Sequence, residues 1–220
     1  DIIARITAQT CRQSGLSVVY TDLLDFGGDE IYFQQEPKLV GKTFGESLLL
    51  YNKAAIIGLQ YKDNSVALNP PHNTVIKDGD KVIAIAEDDD KVVFSGSNIK
   101  IAKDAIVTGK EKQLKAERTI VLGWNKRAAK IINELDNYVA SGSSLLVVAE
   151  MAEIEEEIKE SCSKLKNQTI DFRLGDTTDR SLLDELQMQN FNQIIVLCYS
   201  EYMDAQKADA NTLVTLLHLR

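Results

Sequence analysis

The feature that most constrains the fold is a regular alternation of short apolar runs and amphipathic segments from residue 118 to the end of the chain. Short runs rich in Val, Ile and Leu are typical of buried strands, and apolar residues spaced by three or four are typical of helices. Strands that alternate with helices form parallel sheets, because each return requires a long crossover. The predicted strands are RTIVLGW, SSLLVVAE, QTIDFRL and NQIIVLC, each followed by a predicted helix.

This alternation predicts a doubly wound, Rossmann-like α/β domain over residues 118–220, with a ligand crevice beyond the carboxyl ends of its strands. Residues 16–90 predict a small α+β lobe, because short β-rich runs alternate there with Gly, Pro and Asn turns. We expect a short helix over residues 1–15 and a linker over 91–117, where Gly, Ser and Lys accumulate.

Three local patterns in the first half of the chain give more specific predictions. Residues 2–14 place Ile2, Ile3 and Ile6 on one helical face. LSVVYTDLL is predicted to be a strand because it is rich in β-branched and aromatic residues. TFGESLLL is predicted to be a helix, because Thr43 and Glu46 stand in a capping-box relation.

Composition excludes several classes of protein. The formal net charge of −8, with 33 acidic and 25 basic residues, argues against binding nucleic acid or an anionic membrane surface. The three cysteines, Cys11, Cys162 and Cys198, are too few and too far apart for a disulfide framework or a zinc motif. No apolar run reaches the roughly 18 to 20 residues of a membrane helix. The chain starts without methionine or a signal sequence, so we expect a piece of a longer protein.

The turn after the first parallel strand is the place to look for a nucleotide site. A dinucleotide fingerprint requires three small residues, followed by an acid at the end of the second strand. Gly123 and Ala128 fit, and Glu150 stands where a ribose-binding carboxylate is expected, but Asn125 replaces the second glycine. We expect Asn125 and Trp124 to occupy space that a pyrophosphate needs, so the nucleotide crevice is degraded.

A second turn on the same rim, Gly175–Asp179 (GDTTD), follows the third parallel strand. Asp176 or Thr178 is suited to accept hydrogen bonds from the first amides of the next helix, and an acid there complements the helix dipole. The turn therefore predicts either a helix cap alone or a helix cap that also lines the crevice, with Gly123, Asn125, Glu150 and Asp176 as the candidate cofactor-binding residues.

These segments resemble a known family. GDTTD before a helix, and the closing DANTLVTLLHLR, are similar to the N-terminal lobe of RCK or TrkA-type domains, whereas LVGKTFGE and KDGDKV resemble the C-terminal lobe. The order, C-type lobe first and N-lobe second, implies a junction between two successive RCK domains. ARITAQTCRQSG, DGDKVIAIAEDDD and VLGWNKRAAKIINELDNYVASGS narrow the resemblance to the CASTOR/POLLUX (SYM8-type) ion-channel family, over nearly the whole chain.

The resemblance implies a cytosolic regulatory region of a membrane protein, in which ion or small-ligand binding controls a potassium or other cation pore. Its implied partners are the protein's own pore domain and other RCK lobes, with a homodimer of this fragment and a homotetramer of the intact channel. The helix at residues 1–15 would end a preceding N-lobe and cross over between neighbouring domains.

Calcium is the ligand that the resemblance implies. Hard carboxylate oxygens suit calcium, and Glu87, Asp88, Asp89 and Asp90 form the densest acidic run, although it lacks EF-hand spacing. A second set, Glu201 and Asp204 with Glu150 and Asp176, is expected to converge on the crevice rim. Some related domains place a carboxylate at the end of the fourth strand, where this chain has Leu197 and Cys198.

Enzymatic activity is not expected. His72 and His218 lie near no nucleophile motif, Cys198 ends an apolar strand, and no Gly-x-Ser-x-Gly, P-loop or His-Glu-x-x-His motif occurs. Two alternatives to the ion-channel hypothesis stay open. One is a TrkA-like regulatory subunit of a potassium uptake system, and the other is an NAD-dependent enzyme, which would require tight dinucleotide binding.

Overall fold

The chain forms two compact units. A computed structural model describes residues 1–25, 27–96, 102, 105 and 115–220. One unit comprises Asp1–Leu16 with Lys110–Arg220, and the other Ser17–Gly109. Within the described ranges, no helix is both long and apolar enough to cross a membrane. The predicted linker at 91–117 falls mostly outside the residues that the structure describes.

The first unit is Rossmann-like, which confirms the predicted fold class. It begins with α1 (Ile2–Thr10) and continues with β5 (Arg118–Leu122), α4 (Ala128–Asp136), β6 (Ser143–Ala149), α5 (Ile154–Ser161), β7 (Gln168–Leu174), α6 (Arg180–Leu186), β8 (Gln193–Val196) and α7 (Ala205–His218). The strands form a parallel sheet in the order β7-β6-β5-β8. The chain adds strands to one side of β5 and then returns to its other side, so the topological switch point lies between β5 and β8.

Both faces of the parallel sheet are covered, and strand periodicity decides which residue faces which layer. Val121 packs with α4, α5 and α1 on one face. Its neighbours Ile120 and Leu122 pack on the other face with Leu183 of α6. Because both faces are buried, the central strands β5 and β6 are apolar over most of their length, as parallel strands usually are, whereas the edge strand β7 contains several polar residues.

The second unit is an antiparallel α+β lobe. It contains α2 (Leu16–Leu24), β1 (Glu30–Gln34), α3 (Phe44–Ser47), β2 (Ala55–Gln60), β3 (Val66–Leu68) and β4 (Lys81–Ala86). Its strands pair in the order β1-β4-β2-β3. The predicted capping box is confirmed: the Glu46 amide donates to Thr43 Oγ1 at 3.2 Å, and the Thr43 amide donates to Glu46 Oε2 at 2.7 Å.

The prediction of a strand at residues 16–24 was wrong, because this segment is the helix α2. Gly15, with φ of +87°, turns the chain at the start of the segment. Thr21 Oγ1 then donates to the carbonyl of Ser17, as hydroxyls do inside a helix. A short run rich in valine favours strands, but it contains too few residues for periodicity to separate strand from helix. None of the residues of α2 is buried, and Val18 and Leu24 are 69% and 76% exposed.

The first helix packs by a different face from the predicted one. Ala4 and Ala8 are buried in the core with Ala128 of α4, whereas Ile2 and Ile3 are exposed. Small side chains let two helices approach closely, so the alanines form the contact and the isoleucines remain outside. The helix therefore packs on the Rossmann-like unit of its own chain.

A buried carboxylate holds the connection between α5 and β7. Asp136, at the end of α4, is 6% exposed. Its Oδ2 accepts from the amide of Lys166 at 2.8 Å, and its Oδ1 accepts from the amides of Asn167 at 2.9 Å and Gln168 at 3.1 Å. Buried backbone amides need such partners, since water does not reach them.

We expect Asp136→Ala to lower the free energy of unfolding by about 3 kcal/mol, because it leaves buried amides without an acceptor. Asp136→Asn retains one acceptor oxygen and should lose less. Urea denaturation followed by circular dichroism measures both variants. Losses within about 0.5 kcal/mol of zero for both would show that the carboxylate does not hold this loop.

Candidate functional site

The turn after β5, residues 123–127, forms one wall of the crevice at the switch point. Gly123 has φ of +91°, and a Cβ atom there would clash with the carbonyl oxygen of Leu197, the residue after β8. Only glycine permits this approach. The first small position of the predicted fingerprint is therefore used for contact between two segments of the chain.

Asn125, which replaces the second glycine, has both ends of its side chain engaged. Its Nδ2 donates to the carbonyl of Cys198 at 3.2 Å. Its Oδ1 accepts from the amide of Arg127 at 2.9 Å, and its own carbonyl accepts from the amide of Ala128 at 2.9 Å. Asn125 thus uses the first amides of α4 and joins the turn to the end of β8.

Glu201, from the loop between β8 and α7, faces the same turn. Its Oε2 accepts from the amide of Lys126 at 3.1 Å, and its Oε1 lies 3.5 Å from Lys126 Nζ. Burial acts to raise the pKa of Glu201, but the hydrogen bond from the Lys126 amide, a hydrogen bond from Ser200 and the Lys126 charge outweigh it, so the pKa lies below its ordinary value. The carboxylate is therefore held in its charged form.

A second glutamate, Glu157 of α5, connects the turn after β5 with the loop between β8 and α7 from the interior side. Trp124 is 2% exposed, and its Nε1 donates to Glu157 Oε2 at 2.8 Å. The Tyr202 hydroxyl donates to Glu157 Oε1 at 2.8 Å. Burial and the hydrogen bond to Glu157 raise the pKa of Tyr202 to about 12, so the phenol stays a donor. Trp124 packs in the hydrophobic core beneath the turn, and its polar atom is satisfied. The sequence instead predicts that this side chain occupies space that a pyrophosphate needs.

The acidic residues at the ends of β6 and β7 lie near each other. Burial, and then the charge of Asp176, raise the pKa of Glu150, whereas Lys207 opposes the shift. The Tyr199 hydroxyl accepts from the amide of Glu150 at 3.3 Å, and Asn211 Nδ2 lies 3.5 Å from Glu150 Oε1. The structure therefore brings Glu150 and Asp176, two of the four candidate cofactor-binding residues, to one part of the rim.

The GDTTD turn caps α6 with a different residue from those predicted. Asp179 is the N-cap, and its Oδ1 accepts from the amide of Ser181 at 2.8 Å. Asp176 Oδ1 instead accepts from the amide of Thr178 at 2.8 Å and from its hydroxyl. The reason is that α6 begins only at Arg180, so Asp176 lies too early to reach the helix amides.

Several of the candidate calcium ligands have other partners. Asp88 Oδ1 accepts from the amide of Asp89 at 2.7 Å, and Lys91 Nζ lies 2.6 Å from Asp90 Oδ1. Asp204 caps α7 by accepting from the amide of Lys207 at 3.1 Å. In the part of the chain that the structure describes, no group of three or more His, Cys, Asp or Glu side chains is placed to hold a metal ion. The calcium site stays a prediction, with Glu87–Asp90 and Glu201 in different units.

The other sequence candidates have structural contacts. His72 packs against Phe44, with ring centroids 6.4 Å apart, in the second unit. Cys198 Sγ lies 3.8 Å from Asp209 Oδ1, and its carbonyl accepts from Asn125. Sequence reasoning missed Glu157, Tyr199 and Asn211. Glu157 lies in a run of similar glutamates, and only its distance to Trp124 and Tyr202 marks it.

Gly123→Ala is expected to cost about 3 kcal/mol of unfolding free energy, because it adds a backbone clash to an unfavourable φ. Gly142→Ala is the matched control: Gly142 has φ of +89° in the same unit, but the nearest atom to an added Cβ is 4.0 Å away. The control therefore isolates the cost of φ alone. Equal losses for the two variants in urea denaturation would contradict the close approach of Leu197.

Glu150→Gln is expected to raise the melting temperature at about pH 7.5, because the folded state disfavours the ionised carboxylate. A raised folded pKa means that this penalty is present at higher pH and disappears below about pH 4, where the acid is protonated in both states. Differential scanning calorimetry across this range measures the difference. The gain should shrink in an Asp176→Asn background. A pH-independent difference, or a less stable Glu150→Gln at pH 7.5, would contradict this electrostatic account.

Comparison with known proteins gives one consistent family. The family model described as Castor and Pollux, part of voltage-gated ion channel, matches residues 1–103. The chain is 31% identical to the probable ion channel CASTOR of Oryza sativa subsp. japonica and 31% identical to the ion channel CASTOR of Lotus japonicus. It is 29% identical to the ion channel POLLUX of Lotus japonicus. Each of these matches covers 100% of this chain but only 25% to 27% of the relative.

The fold has a counterpart among solved structures. The structure of the human SLO3 gating ring superposes with a TM-score of 0.67, covering 97% of this chain and 47% of that one. The sequence identity of 13% limits this likeness to the fold.

Proposed function

We propose, because the chain belongs to the CASTOR/POLLUX family of ion-channel proteins, that it is part of the cytosolic regulatory region of a cation channel. The observation that carries the proposal is that relatives named as ion channels match along the whole of this chain. The chain spans about a quarter of those relatives. The pore is therefore assigned to the rest of the parent protein.

The arrangement of lobes supports a regulatory role. We assign residues 16–90 to a C-type RCK lobe and residues 118–220 to the N-lobe of a following RCK domain, with residues 1–15 as a crossover helix and 91–117 as the linker. The fold likeness to a gating ring supports this assignment. Ligand binding would then favour one of two arrangements of the ring, and the difference in affinity between them sets the force on the pore.

Exposed apolar surface supplies the contacts that such a ring needs. On α7, Leu213, Leu216 and Leu217 are 58%, 49% and 55% exposed, and their spacing places them on one side of the helix. Burying such residues against another subunit is favourable, since each removes apolar area from water. We assign this row, the α7 leucine row, to contact with other RCK lobes, in a homodimer of this fragment and a homotetramer of the intact channel.

Calcium is the proposed ligand, and potassium the proposed conducted ion. The acidic run Glu87–Asp90 supports calcium, because it follows β4 directly and carries four consecutive carboxylates, of which Asp90 pairs with Lys91 and Asp88 accepts from a backbone amide. Glu201 and Asp204 are the second candidate set. In the assembled ring, oxygen ligands from a neighbouring subunit would complete the calcium coordination shell at either candidate set.

The α7 leucine row gives a direct test of assembly. We expect sedimentation velocity to show a concentration-dependent dimer of this chain, and Leu217→Asp to shift it towards monomer, because a charge is costly in an apolar contact. Gln206→Asp adds the same charge to an exposed position at the other end of α7 and should leave the dimer intact. A wild-type chain that stays monomeric at high concentration would contradict the assembly proposal.

The channel function itself is tested in the full-length parent protein in planar bilayers. We expect potassium currents through a channel whose open probability changes when calcium is added to the side of the bilayer that this cytosolic region faces. Replacing Asp88, Asp89 and Asp90 together by asparagine should shift that response, whereas replacing Glu155 and Glu156, exposed acids on α5, by glutamine should not. Absence of any ion current would contradict the channel proposal, and a current insensitive to calcium would contradict the ligand alone.

A further inference from the structure

The backbone amides at the start of α4 are the groups that bind phosphate in many Rossmann-like domains. In this chain three amides at this turn have internal acceptors. The amide of Lys126 donates to Glu201, and those of Arg127 and Ala128 donate to Asn125. The helix α4 has 9 residues and no side-chain cap from its N-cap residue Arg127, so these contacts replace an ordinary cap.

We propose that Glu201 supplies the anion of this crevice from within the chain, and that its carboxylate stands where a bound phosphate would otherwise be. The charge is appropriate, because an anion is favoured at a helix N-terminus, and Lys126 Nζ lies 3.5 Å from the same carboxylate. The replacement of glycine by Asn125 then belongs to the same arrangement. We call the hydrogen bonds of Glu201 and Asn125 at this turn the tie, because they connect two loops where a ligand would otherwise bind.

The tie joins two loops on opposite sides of the switch point. Glu201 and Asn125 connect the turn after β5 to the loop after β8 from the rim. Glu157 connects the same loops from the interior through Trp124 and Tyr202. A dinucleotide pyrophosphate would have to displace the Glu201 carboxylate and break both side-chain bonds of Asn125. The residues present therefore do not fit a dinucleotide, and Glu201 acts as a positioning residue.

Thermal melting in the presence of inorganic phosphate or NADH tests this assignment. Wild-type protein should show no shift with either probe. Glu201→Ala should melt at a lower temperature without probe and should gain about 2–4 °C with saturating phosphate, because the freed Lys126 amide and the Lys126 ammonium donate hydrogen bonds to the anion. Glu155→Ala removes an exposed acid that pairs with Lys159 on α5, so it changes net charge equally and should show no phosphate response.

Stabilisation of the wild type by phosphate or NADH would overturn the proposal, as would a Glu201→Ala variant with unchanged melting and no phosphate response. If Glu201→Ala does not fold, Glu201→Gln provides the second measurement. Its amide oxygen still accepts from Lys126, so it should melt close to the wild type and gain little from phosphate. A phosphate response of Glu155→Ala equal to that of the Glu201 variants would show an effect of net charge only and would also overturn the proposal.

Discussion

The backbone amides at the start of α4 need hydrogen-bond acceptors. These amides lie at the topological switch point, where the strand order reverses between β5 and β8. A helix N-terminus that lacks partners is costly, and in folds of this type a ligand often supplies them. Here Asn125 and Glu201 supply acceptors at the turn before α4. Their side chains also connect this turn with the segment after β8. The same contacts therefore join the two loops that flank the crevice, beside the β5–β8 pairing itself.

Three further features lie beside that arrangement. Gly123 has to be glycine, because Leu197, which continues the β5–β8 pairing through the hydrogen bond from its amide to the Leu122 carbonyl, lies against the turn. Trp124 is buried beneath the turn, where Glu157 satisfies it. The loop that carries Glu201 continues into α7, whose leucine row is exposed. We propose that the fold is retained here while the ligand chemistry of its usual site is absent.

The sequence predicts the parts of this structure that depend on local periodicity and spacing. The four-strand parallel unit and the Thr43–Glu46 capping box follow from such patterns and are present. The helix α2 does not, because nine apolar-rich residues fit both templates. The buried face of α1 was also missed, because hydrophobicity favours isoleucine while close helix packing selects Ala4 and Ala8.

At the crevice too, features that depend on neighbouring residues can be predicted from the sequence, whereas contacts between residues far apart in the chain cannot. The replacement of a glycine by Asn125 is visible in the sequence, and from it we predict a degraded nucleotide site. The role of Glu201 is not visible, because it joins residues 75 positions apart and depends on β8 lying beside β5. Glu157 is hidden for a similar reason among neighbouring glutamates of α5.

The most direct measurement is residue-resolved amide hydrogen exchange at Lys126, with and without saturating NADH. We predict slow exchange of this amide in the free protein, because Glu201 accepts its hydrogen bond, and no change when NADH is added. Rapid exchange that becomes slow only with NADH would show that the crevice is open to a ligand and that Glu201 does not fill it.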